Sequence, residues 1–401
     1  MSDIGYNPFD PTVRADPYPF YARLRDEHPL YRIQGLGITA VSRYADVHAV
    51  LEDSLTFSST AVRDLFNGLG DHIEDDDAGI TGETMVGTDP PVHTRLRKIV
   101  NRAFRPSQIA ALEPRILELT RQLVSALEGR DTFELMSELA VPLPVTVIAE
   151  ILGVDASRRL DFKRWSDDFL IAATGQPTPE QAASFRVSDQ ELGNWIDEVV
   201  SERRVHPGQD LISRLIAAEA SEEVMTAEEV RNLIVLLLVA GNETTTNLIG
   251  GSVLALLERR DQLERLRRQP EQIAGAVEEL LRFTSPVQLT LRRARRDVEL
   301  PSGKVAEGEV VAVLLASANR DERQFPDADR LDVSRDVRGH VALGFGTHFC
   351  VGANLARLEG AIALRELICG LPAFERVPEP LEYTPSLIVR GPRRVLLRFR
   401  S

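Results

Sequence analysis

The stretch that decides this chain is Phe345-Gly346-Thr347-His348-Phe349-Cys350-Val351-Gly352, followed by ANLARLEGAIALREL, whose apolar spacing predicts a helix. A cysteine by itself is usually a small buried hydrophobe. Three features point elsewhere for Cys350. Gly344, Gly346 and Gly352 allow the backbone to turn tightly and to approach a flat object closely. Cys350 stands at a helix entry, where free N–H groups and the helix dipole stabilise a thiolate. The only other cysteine, Cys369, lies later in the same helical run and is read as a core residue. With no CxxC nearby, zinc and iron–sulfur ligation are disfavoured.

Working outward, the next landmark is the segment opening at Thr226-Ala-Glu-Glu229, which has capping-box spacing. It predicts a helix of about thirty residues, long for a globular protein and apolar on all sides in its first half, so it must pass through the middle of the fold. At its centre Ala240-Gly241-Asn242-Glu243-Thr244-Thr245 interrupts the apolar pattern. Threonine hydroxyls can bond back to the carbonyl four residues earlier and bend a helix, so a kink is the plain reading. Further on, Glu279-Leu-Leu-Arg282 puts a carboxylate and a guanidinium on one helix face, a spacing that most often makes a weak surface pair. Asp89-Pro-Pro-Val-His93-Thr-Arg95-Leu-Arg97 places His93 and Arg97 on one face, and Leu291-Arg292-Arg293 follows the Ser285-Pro286 break. Alone, each basic residue is a solvated charge.

Other helical spacing covers 17–26, 44–52, 92–104, 106–127, 144–152 and 182–204, and strands are expected at Leu30–Ile33 and Ile38–Val41. Residues 53–89 read as a long irregular stretch containing the acidic run 74–77. The chain has 401 residues, 43% of them hydrophobic and 27% charged, enough to bury a core around a large cofactor. A net charge of −14 argues against nucleic-acid binding, where phosphate contacts dominate affinity. Two cysteines, no basic-then-apolar leader and no apolar stretch longer than 233–241 point to a cytoplasmic protein without a membrane span.

The cysteine turn, the Glu279-x-x-Arg282 pair and the Gly241-to-Thr245 interruption together resemble the cytochrome P-450 family over essentially the whole chain. The resemblance implies a mainly α, single-domain fold, with a strand-rich region from about 29–42, 286–335 and 384–399 and a helical region from about 91–283 and 351–370. A haem (haem b, iron protoporphyrin IX) is expected under the long helix, with Cys350 as the axial iron ligand. Phe345, Gly346, Gly352, Ala240 and Gly241 are expected to contact it, and His93, Arg97, Arg292 and His348 to hold its propionates. Glu279, Arg282 and Arg335 are the expected structural triad. Glu243 and Thr244 are the expected acid–alcohol pair, relaying protons where dioxygen is cleaved.

The reaction so implied inserts one oxygen atom of O2 into an apolar, mid-sized substrate, by hydroxylation or epoxidation of a steroid, terpenoid, polyketide or fatty acid. Substrate-pocket candidates are Leu236, Val239, Ala240, Val287, Gln288, Leu289, Thr290, Ile388 and Val389, with parts of 60–90 and 165–190; Gln288 and Asn242 are possible orienting groups. No reductase domain is expected within the chain. Electrons would come from a ferredoxin served by an NAD(P)H-dependent ferredoxin reductase, docking on Arg95, Lys98, Arg102 and Arg357, or those four are scattered surface charge. A monomer is expected. A peroxide-driven relative would usually lack the acid–alcohol pair, and a haem-free helper protein would not need Cys350 and the propionate set.

Overall fold

The computed structural model describes residues 4–67, 84–172, 178–219 and 225–400. The acidic run 74–77 and part of the expected 165–190 pocket region lie outside these. The chain divides into two compact units, one made of Met1–Ser58, Leu112–Ala140 and Thr244–Ser401, the other of Ser59–Ala111 and Val141–Glu243.

All strands among the described residues belong to the first unit. They are β1 (Leu30–Ile33), β2 (Ile38–Val41), β3 (Phe57–Ser58), β4 (Thr132–Glu134), β5 (Thr290–Ala294), β6 (Val298–Leu300), β7 (Gly303–Val305), β8 (Val310–Val313), β9 (Phe374–Arg376) and β10 (Leu396–Phe399). The main sheet has the order β1-β2-β8-β5-β3, with β2 and β8 parallel and the other pairs antiparallel. A second sheet runs β4-β10-β9, and β6 pairs with β7. Val41, Val50, Leu51, Val311, Val313 and Val341 form one buried cluster between this sheet and the helix Tyr44–Glu52, with Phe345 packed against it. Each such side chain contributes about 1.5–3 kcal/mol on burial. Because Val341 and Phe345 belong to that cluster, the approach to Cys350 is anchored in the sheet core.

Helices form the second unit: Thr60–Asn67, Val92–Ala103, Pro106–Ala110, Pro142–Leu152, Arg159–Ala172, Pro179–Val205 and Leu211–Glu219, with the first half of Ala227–Glu258. Phe162, Trp165 and Trp195 lock Arg159–Ala172 onto Pro179–Val205, with ring centroids 5.0–5.9 Å apart.

The long helix spans Ala227–Glu258 and is helical throughout. Its capping box is made: Glu229 N donates to Thr226 Oγ1 at 3.1 Å, and Thr226 N to Glu229 Oε2 at 2.9 Å. The helix continues unbroken through the 240–245 interruption, and Thr246 Oγ1 donates across to the Ala140 carbonyl (3.0 Å). By length and composition this helix could cross a membrane, a property the nine-residue apolar run 233–241 conceals, but 72% of its most apolar window is buried within the fold.

Four further expectations are corrected. The helix expected over 106–127 is two, Pro106–Ala110 and Glu113–Ser125, because Pro114 has no N–H to continue the first. The stretch 53–89 is not wholly irregular: it holds β3, the helix Thr60–Asn67 and a single turn at Met85–Gly87. Strand β4 lies inside the region expected to be helical. Cys369 is exposed, not core: Leu364, Leu367 and Ile368 take the buried face of Ala353–Gly370, and Cys369 falls a further 100° round.

Candidate functional site

The Cys350 turn is built by hydrogen bonds and two left-handed glycines. Gly344 and Gly346 have φ of +72° and +66°. Phe349 N donates to the Gly346 carbonyl (3.0 Å) and Cys350 N to the Leu343 carbonyl (2.8 Å), so the chain closes on itself just before the cysteine. At Gly346 a Cβ would lie 2.7 Å from the Leu51 carbonyl oxygen, so no larger residue fits against the end of Tyr44–Glu52. Phe345 stacks on His48 of that helix, ring centroids 4.1 Å apart. Gly352 has an ordinary φ of −84° and starts the helix Ala353–Gly370 as its N-cap. Cys350 is half-buried, three residues before that helix.

Glu279 and Arg282 lie on the helix Ile273–Thr284, both fully buried. Arg282 donates to both carboxylate oxygens of Glu279 (2.7 and 2.8 Å), and also to the carbonyls of Asn319 and Ala328 (2.7 and 2.8 Å). Arg335 Nε and Asp332 N add to Glu279 Oε1 at 3.3 and 3.0 Å. The three expected members are together, and each carboxylate oxygen of Glu279 and each guanidinium nitrogen of Arg282 has a partner, which is what a buried charge pair requires.

On the long helix one stripe differs from its buried flanks. Leu236, Val239 and Thr244 keep some accessible surface and Ala240 is exposed, at spacings of three and four. Beside that stripe Glu243 is only 3% exposed. Lys163 Nζ lies 3.2 Å from its Oε2 and is shared with Asp167. Burial works against the Lys163 charge, but the two carboxylates outweigh it and hold the ammonium above its usual range. Lys163 was not legible in the sequence, eighty positions from its partner.

Among the cationic candidates, His93 is 2% exposed on Val92–Ala103, and Arg97 one turn later donates Nε to Asn101 Oδ1 (3.1 Å). In the other unit Arg292, 5% exposed on β5, donates to Thr290 Oγ1 (3.1 Å) and the Leu291 carbonyl (2.7 Å), and His348 is half-buried in the cysteine turn.

Two sets of expectations change. Arg95 is bound by Glu229, and Arg357 by both oxygens of Glu278 (2.6 and 2.9 Å), so these two carry acidic partners, while Lys98 and Arg102 are exposed. Gln288 is no orienting group. It is buried with Nε2 on the Ser285 carbonyl (2.6 Å) and Oε1 accepting from Tyr21 (3.4 Å), and Asn242 Nδ2 is given to Ser166 (3.2 Å). Val287 bridges to Val389, and Gln288 N donates to the Ile388 carbonyl (2.7 Å), so 287–290 and 388–389 lie side by side. One buried acid carried no sequence signal: Glu359, 1% exposed, whose Oε2 has no hydrogen-bond partner and whose carboxyl burial pushes up to about 8.

A turn that presents one cysteine before a helix, with glycines where bulk would collide, fits a thiolate held against a flat group. The comparisons agree. The family description Cytochrome P450 matches residues 183–371. Cytochrome P450 107B1 of Saccharopolyspora erythraea is 39% identical over 97% of this chain and 96% of its own. Vitamin D(3) 25-hydroxylase of Pseudonocardia autotrophica is 37% identical over 96% of this chain and 94% of its own. The structure of cytochrome P450 CYP109Q5 from Chondromyces apiculatus superposes with a TM-score of 0.87 at 41% identity, covering 99% of this chain and 98% of that one. The chain belongs to the cytochrome P450 family. Within it the chain is a monooxygenase, with the mainly α fold and the haem-thiolate chemistry of that family.

Proposed function

We propose that this enzyme hydroxylates or epoxidises an apolar, mid-sized molecule of the steroid, terpenoid, polyketide or fatty-acid kind. Electrons come from a ferredoxin and its NAD(P)H-dependent reductase, in the cytoplasm, and the enzyme works as a monomer. Cys350 Sγ would ligate the iron of haem b, and His93, Arg97, Arg292 and His348 would hold its propionates. When bound, the haem activates O2 and transfers one oxygen atom to the substrate, helped by thiolate electron donation that favours O–O cleavage.

The chain's own part is proton delivery and exclusion of water. The observation that carries the reading is the buried Glu243, paired with Lys163 and followed by the accessible Thr244. Lys163 holds a proton at Nζ, is 23% exposed, and shares it with Asp167, which is 42% exposed. Those side chains form a graded path from solvent to Glu243, and Thr244 Oγ1 is the next hydroxyl along the helix. A peroxide-driven reading has no use for this path. The apolar substrate class is supported by the polar groups near the candidate lining, since Gln288 and Thr290 are engaged internally and Asn242 gives its Nδ2 to Ser166. Vitamin D(3), the substrate named for one relative, is of that class.

Thr244→Ala is the test. It should keep haem and substrate binding while product per electron falls and peroxide rises; an unchanged yield per electron overturns the relay. Cys350→Ala should abolish the thiolate-type spectrum of the ferrous–CO complex. A spin-shift binding screen over steroids, terpenoids, macrolides and fatty acids sorts the substrate classes.

A further inference from the structure

Glu278 neighbours the buried Glu279 but points to different partners. Its Oε1 accepts from Arg357 Nε (2.6 Å), and its Oε2 from Arg357 Nη2 (2.9 Å) and from His340 Nε2 (3.1 Å). Ala342 N donates to His340 Nδ1 at 3.3 Å, which assigns the ring proton to Nε2 and makes it the donor to Glu278. His340 is 4% exposed, while Glu278 and Arg357 are 30% and 33% exposed. His340 precedes Cys350 by ten residues and Arg357 follows it by seven. One carboxylate on Ile273–Thr284 therefore grips the chain on both sides of the cysteine turn.

We propose that Glu278 is a clasp that holds the Arg357 cation within electrostatic reach of Cys350, so that this ion pair sets the charge balance at the sulfur and the ease of reduction there. Glu278 and Arg357 are positioning residues in this scheme, and it rests on Cys350 being the haem ligand.

Supporting features lie on both sides of the pair. Burial pushes the Glu278 carboxyl up, but the hydrogen bonds from His340 and Arg357 outweigh it and hold it down at about 2, so it stays charged at working pH. Arg357 is held above its usual range first by its hydrogen bonds to Glu278 and also by the charges of Glu278 and Cys350. A bidentate guanidinium–carboxylate pair fixes both distance and orientation of the charge. Glu279 offers the contrast, since its partners are Arg282, Arg335 and Asp332.

A purely mechanical brace and an electrostatic clasp predict different signs. Adding an electron at the iron is favoured by nearby positive charge and opposed by negative charge. Glu278→Gln leaves Arg357 uncompensated, so the midpoint potential of the holoenzyme should rise. Arg357→Gln leaves Glu278 uncompensated, so the potential should fall. The double variant should return towards wild type, and Arg357→Lys should stay near it. Shifts of the same sign in the two single variants, or none, overturn the proposal. If Glu278→Gln does not retain haem, the Arg357 pair decides: a fall with Gln but not with Lys supports the clasp, and equal shifts sink it. The ferrous–CO spectrum of the wild type separates the layers. Lack of a thiolate band there defeats the ligand reading itself, whereas same-sign potentials with an intact band defeat only the clasp.

Discussion

Glu279 and Glu243 are both buried acids on helices, each facing a cation, and they are held in opposite ways. Glu279 meets two arginines and a backbone N–H, and its main partner Arg282 is itself tied to two carbonyls. Nothing there can move without leaving a buried charge unpaired. Glu243 pairs with Lys163, and that lysine is divided between Glu243 and a half-exposed Asp167. The difference separates a charge braced by several partners from one whose lysine is shared with a solvent-reaching acid, the arrangement that the proposed proton relay would use.

The largest effect should come from attacking the brace. Arg282→Gln leaves Glu279 buried with its main partner gone and should cost about 3–5 kcal/mol in chemical denaturation, or abolish folding. A loss below about 1 kcal/mol would put Glu279 in the same class as a surface acid. A third carboxylate extends the contrast, because Glu359 is buried with no cation paired to it among the described residues. Its folded pKa lies above its unfolded value, so the folded state binds the proton more tightly. Stability should fall as pH rises from 4.5 to about 8, and Glu359→Gln should flatten that decline in a Tm–pH series. The scale is about 1.4 kcal/mol per pH unit at most; identical slopes in both proteins would show that Glu359 is hydrated.

Lys163→Met sharpens the other arm. It should lower oxygenation about tenfold or more while substrate affinity stays, with a larger solvent isotope effect on turnover. Unchanged turnover would mean that protons reach Glu243 by another route. The smallest effect belongs to an exposed pair: Arg338→Ala removes the Asp336 contact, and the Tm should not move.

Much of this was legible because it is local. Thr226 and Glu229 announced the long helix, and both hydrogen bonds of the box are made. The three-residue spacing of Glu279 and Arg282 required a shared helix face, and the glycines before Cys350 required a tight turn. What could not be read was mostly non-local. Lys163 meets Glu243 across eighty residues, and no periodicity marks a lysine that turns inward. Arg357 looked like surface charge because its partner, Glu278, lies in another helix. Gln288 was offered to a ligand, yet Ser285 and Tyr21 already use it. Cys369 shows the converse error, since a residue type that is usually buried landed on the exposed side of its own helix.

The apolar length of Ala227–Glu258 has a consequence before the protein is folded. As the nascent chain leaves the ribosome, this segment carries a window of mean hydropathy 1.4, enough by composition for the membrane-insertion machinery to engage it. Glu243 stands at its midpoint, where a charged side chain opposes insertion by roughly 2.5–3.5 kcal/mol. The carboxylate that the proposed relay uses in the finished enzyme would thus also oppose mis-insertion during synthesis. Replacing it with an apolar residue would risk sending the chain to the wrong place before any chemistry is lost.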